Sequence, residues 1–91
     1  MIENDALIIE RIFTNFINIL ERSIVVLHAD ITSNIIDTQH LHQHMMAIIK
    51  QCVLDARFEF RDNDLFDEKN KQKLSSLTEE YNNRISNILN K

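Results

Sequence analysis

The chain has 91 residues, 44% of them hydrophobic and 26% charged, with neither Gly nor Pro. That length fits one domain over 1–91. Hairpin turns and phosphate-cradling loops mostly need Gly for positive φ or Pro for a fixed φ, so their absence points to long helices joined by short polar links. A formal net charge of −4 argues against a binder of nucleic-acid backbone, which would present clustered Lys and Arg.

The first expected helix spans about 5–35, with Asn4 or Asp5 as its N-cap. Ile9, Ile12, Phe13, Phe16, Ile17, Ile19, Leu20, Ile24 and Leu27 share one face, extended by Ile31 and Ile35. That arc is about 160° wide, more than a single contact stripe requires, so this helix should touch two neighbours. Glu10, Arg11, Asn15, Asn18, Glu21 and Arg22 interrupt the run, which argues against a membrane span. The polar face also lacks the Lys and Arg enrichment of an interfacial helix, so no membrane partner is expected. Met1 leads into Glu3 and Asp5 rather than a basic segment, so no signal peptide is expected. Asp30 and Asn34 intrude on the apolar face, and the helix should stop or bend between His28 and Ile36.

Asp37 or Thr38 can cap a second helix over about 38–61. It should bury Leu41, Met45, Ile48, Ile49, Cys52, Val53 and Ala56. A second apolar ridge, Ala47, Leu54 and Phe58, points away from that stripe and gains Leu65 if the helix runs on. A helix apolar on two sides lies centrally in a bundle or forms half of an interface.

The link "RDNDLFDEKN" reads as a helix stop and a new N-cap at Asp62, Asn63 or Asp64. A third helix over about 64–90 then carries a narrow stripe of Leu74, Leu77, Tyr81, Ile85, Ile88 and Leu89, which should dock on the first helix or on that of a second copy. "SLTE" at Ser76–Glu79 matches a capping box, but Leu74 shares the stripe with Leu77 and Tyr81, which favours an unbroken helix. Net charge runs −3, −4 and +3 over residues 1–54, 55–68 and 69–91, so the C-terminal segment is suited to acidic neighbours.

Few residues suggest chemistry. His40 and His44 are four apart, a spacing that puts two imidazoles on one helical face, as in two-ligand metal sites. His42 projects elsewhere, and His28 is the only other histidine that could supply a third ligand. With no ligand set to name, no metal is assigned and no cofactor is expected. Asp62 and Asp64 match the first two EF-hand positions, but Phe66 and Lys73 stand where oxygen ligands belong. Cys52 lies on an apolar stripe, which suits a packed thiol, and a lone cysteine fits a reducing cytoplasm. No serine sits in an elbow motif, so no enzyme activity is expected.

These features lead to an all-α, three-helix antiparallel bundle that is expected to dimerise. Its expected role is non-enzymatic binding of another protein through apolar helix faces, in the manner of small chaperones, anti-adaptors or inhibitors. Leu54, Phe58 and Leu65 would form the contact, with Asp62, Asp64 and Asp67 on its rim. Two alternatives follow from other residues. The acidic 55–68 segment suits a phage or mobile-element inhibitor that offers carboxylates to a nucleic-acid enzyme. His40 and His44 suit a metal- or pH-responsive regulator.

Overall fold

A computed structural model describes residues 2–33 and 37–90, with side chains from Asn4 onward. Among the described residues three helices make an up–down–up bundle: α1 (Ile2–Ser33), α2 (Thr38–Asp62) and α3 (Glu68–Leu89). The Arg11–Glu59 ion pair towards one end and Val26 and Leu27 beside Leu41 and Met45 towards the other show α1 and α2 antiparallel. Phe16 against Tyr81 and Glu21 against Arg84 show α1 and α3 parallel.

The buried face of α1 is Ile12, Phe13, Phe16, Leu20, Ile24 and Leu27, with Ile9, Ile17 and Ile31 half-buried beside it. Its neighbours are α2 on one flank and α3 on the other, as a wide arc requires. Ile35 lies outside the described residues. Helix α1 already runs from Ile2, so Asn4 and Asp5 lie within its first turn instead of capping it. The polar breaks also leave Asn4–Ser33 long and apolar enough, by length and composition, to cross a membrane. In the bundle one side of that stretch builds the core, and Leu7, Val25 and Val26 remain exposed on the others.

Asp37 caps α2 by accepting a hydrogen bond from the Gln39 backbone N–H at 3.1 Å. Helix α2 buries Leu41, Met45, Ile49, Cys52, Ala56 and Phe60, while Ile48 and Val53 sit at the edge of the core. Phe60 is 0% exposed. Its ring lies 5.1 Å from that of Phe13 and stacks 6.2 Å from that of Phe66.

The α2–α3 link departs from the sequence expectation. Asp64 has φ 57°, in the left-handed region. Its N–H donates to the Arg61 carbonyl at 3.0 Å, and the Leu65 N–H donates to the Phe60 carbonyl at 2.7 Å. These two bonds define a Schellman stop, in which the left-handed position usually takes Gly. Asp serves here because its short polar side chain tolerates that conformation better than most. The motif swings Leu65 back towards Phe60, where it packs against the core. Leu65 therefore does not extend the Leu54–Phe58 ridge. The chain stays non-helical to Asp67, which caps α3 by accepting from the Asn70 N–H at 2.9 Å. So α3 begins at Glu68 and not near 64, and Asp62, Asn63 and Asp64 end a helix without starting one. Buried Asn70 completes the link by donating to the Leu65 carbonyl at 2.8 Å. Ser76 lies inside α3, so the "SLTE" box is not used as a cap.

Helix α3 buries Leu74, Tyr81 and Ile85. It lies mainly along α2, with a smaller contact to α1, where its stripe alone suggested docking on α1 or on that of a second copy. Lys73 reaches 4.6 Å from the centre of the Phe13 ring. The charge asymmetry between segments meets in one place: Arg84 forks onto both Glu21 oxygens, at 2.7 and 3.0 Å, and the Tyr81 hydroxyl donates to the same carboxylate at 2.9 Å. The fork and the hydroxyl stabilise the charged form, so the Glu21 carboxyl titrates below its ordinary 4.5.

Candidate interaction face

Phe58 is 69% exposed and Leu54, one turn before it, is also exposed. Both are on the side of α2 opposite its buried stripe, and Ala47 is exposed on the same side. Leaving a Phe in water forgoes much of the roughly 1.5–3 kcal/mol that burying it would contribute, and here it stands one turn from a second exposed apolar side chain instead of alone.

The surroundings come from α1 as well as α2. Along the seam of these helices, on the side α3 leaves open, run two shallow depressions. The first, of about 440 Å³, includes Phe16, Ile19, Arg22, Asp55 and Phe58 in its lining. The second, of about 220 Å³, is walled by Val26, Leu27, Leu41, His44, Met45 and Ile48. Arg22 lines both and marks the boundary between them. Val26 is 58% exposed and Ile19 is exposed too, both on α1. With Phe58 of α2 they place apolar side chains on both sides of the seam, interspersed with Asn15, Asn18, Arg22, Asp55 and Glu59. Helical periodicity assigns Ile19 to the core face, yet it is 45% exposed, because the wide apolar arc of α1 reaches past α2 to the open seam. The same pattern gives no reason to single out Val26. The run Ile24–Leu27, four apolar residues in succession, was the available signal, because a helix cannot turn four consecutive residues to one side.

Of the three aspartates expected on a rim, Asp62 follows Phe58 by one turn and borders the ridge. Asp64 and Asp67 belong to the link, where they shape the Schellman stop and the α3 cap. All three are exposed.

His40 and His44 are both exposed on the first turns of α2, His42 is exposed on a different side, and His28 is exposed near the end of α1. Among the described residues no three His, Cys, Asp or Glu side chains come together as a metal-binding group. Cys52 is buried, and burial, with help from Asp55, pushes its thiol pKa up, which keeps it protonated. The α2–α3 groove, of about 750 Å³, is open and lined by charges of both signs: Arg57, Arg61 and Lys71 with Glu68 and Glu79. Phe66 forms part of its floor, with the Arg61 guanidinium 5.2 Å and the Lys71 ammonium 5.1 Å from its ring centre. Cations already resting on an aromatic face are held in place without a ligand.

No family model matches the chain, and no curated protein or solved structure matches it.

Proposed function

We propose that this chain is a small helical binding module, without catalysis of its own, that engages another protein through the α1–α2 face. The observation carrying this reading is the exposure of Phe58, which borders the α1–α2 depression that Ile19 also lines. Exposed Leu54 stands one turn away on the outer side of α2, and exposed Val26 lies further along the seam. A bundle of this size has its core filled by the other faces of the same helices, so these side chains add nothing to it. Interfaces concentrate their energy in aromatic anchors within an apolar patch bordered by polar groups. Phe58 suits the anchor, and Asp55, Glu59, Asp62 and Arg22 supply the border.

Affinity capture from the native host, with the wild-type chain and the Leu54→Asp/Phe58→Asp double variant side by side, tests the reading. Both sites are exposed, so the variant should keep its helical circular dichroism and lose the specific partner. Capture of the same proteins by both chains would refute it.

A further inference from the structure

The protein has more surface than a chain of its mass needs. Its accessible area is 6465 Å², against roughly 5,500 Å² for a compact monomer of 10.8 kDa. The Cα radius of gyration is 14.9 Å, where about 12 Å would be typical for this length. The bundle is a rod of 50 × 18 × 17 Å. One long side therefore offers on the order of 900 Å², close to the roughly 800 Å² that each partner contributes to a stable interface.

The α1–α2 side also complements itself. The Arg11–Glu59 pair fixes the register, so Phe58 lies beside the Arg11–Asn15 turn of α1. The Val26 depression lies roughly 15–20 Å further along the same seam at 1.5 Å per residue. Phe58 cannot reach it within one chain. A two-fold axis crossing the seam near Ile19 and Gln51 would put each Phe58 over the other copy's depression, because the axis exchanges the two ends. The depression's 220 Å³ suffices for one aromatic ring, since an apolar cavity of about 150 Å³ holds benzene. The same operation brings Arg22 of each copy towards Asp55 of the other. Arg22 and Asp55 form no ion pair with each other among the described residues, and Asp55 accepts only a neutral hydrogen bond, from Gln51 at 2.9 Å.

We infer that the occupant of this face is a second copy of the chain, in an isologous dimer with Phe58 of each copy seated among Val26, Leu41 and Ile48 of the other. The inference rests on the binding role assigned to the face and names its partner. An isologous contact repeats every interaction twice, so one substitution removes two anchors.

Sedimentation equilibrium on the full chain tests it, with Phe58→Asp, Val26→Lys, a one-to-one mixture of the two, and Val25→Lys as control. Val25 is 68% exposed, next in sequence to Val26, yet lines neither depression. The wild type should show twice the mass of 10.8 kDa. Each of the first two variants should dimerise more than about 30-fold more weakly, the size of a hot-spot loss. The mixture should recover most of the affinity, because one native contact survives and the other becomes an Asp–Lys pair. Val25→Lys should remain dimeric. A wild type monomeric at about 1 mM overturns the second copy as occupant, while Phe58-dependent capture of a different protein would leave the face reading standing. A dimer insensitive to both variants, or a mixture that stays monomeric, overturns the proposed seating. A monomer that co-sediments with phosphatidylcholine vesicles assigns the face to a lipid surface and overturns the proposal.

Discussion

Phe58 and Phe60 are chemically identical and two positions apart on α2, yet the bundle gives them opposite roles. Phe60 is 0% exposed between the rings of Phe13 and Phe66, and Phe58 is 69% exposed. Replacing Phe60 with Ala removes a fully buried ring and leaves a cavity, a change that costs about 3–5 kcal/mol. Two aromatic contacts, each worth about 0.5–1.5 kcal/mol beyond burial, place the loss towards the upper end. Total stability for a chain of this length is about 5–14 kcal/mol, so Phe60→Ala should lower Tm by roughly 15–30 °C or prevent folding. Phe58→Ala should change the stability of the separate chain by no more than about 0.5 kcal/mol. Urea titrations at low chain concentration, where self-association contributes least, compare the two directly. If both variants lose similar stability, the rotation of α2 about its axis is wrong, and with it the assignment of Phe58 to an outer face.

Two further predictions concern contacts that hold the helices in register. Glu21→Gln should cost about 0.5–1 kcal/mol at neutral pH, a value kept small because Glu21 and Arg84 are both partly solvent-exposed. Since the folded-state pKa of Glu21 lies below its ordinary 4.5, the contribution is present above that value and fades as pH falls through the folded pKa. Urea titrations of wild type and variant should show a gap that narrows steadily as pH falls below 4.5, and a gap that stays constant on acidification would refute the clamp. At the α2 stop, Asp64→Val should destabilise by about 1–2 kcal/mol because a β-branched residue resists positive φ, whereas Asp64→Gly should be neutral or slightly stabilising. Equal loss from both would mean that the Asp64 carboxylate, and not its backbone conformation, matters.

Much of the bundle could be read before any coordinates. The stripes on α1, α2 and α3 follow from where apolar residues recur, and the structure buries Leu41, Met45, Ile49, Cys52 and Ala56 together, as the α2 pattern requires. The outward placement of Leu54 and Phe58 was legible for the same reason, because a helix of fixed pitch cannot turn them towards the Cys52 side. The α2–α3 link was read less well. Its acidic composition suggested a cap, but several aspartates could serve, and Phe66 and Leu65 gave no hint that they would fold back onto Phe60. That choice depends on burying two more apolar side chains against an existing core, which a local pattern does not represent.

The sequence by itself determined that the protein is helical, that it has three elements, and which side of each turns inwards. All of these follow from the 3.6-residue period and from the lack of residues suited to tight turns. Only the tertiary structure decided which residues meet across helices. It set Glu21 within reach of Tyr81 and Arg84, drew Leu65 off the outer ridge, and aligned Ile19 and Val26 with Phe58 along one seam. Those meetings depend on the axial offset and rotation of one helix against the next. Both are set by how whole side chains interlock in the core, and periodicity within a single helix carries no record of either.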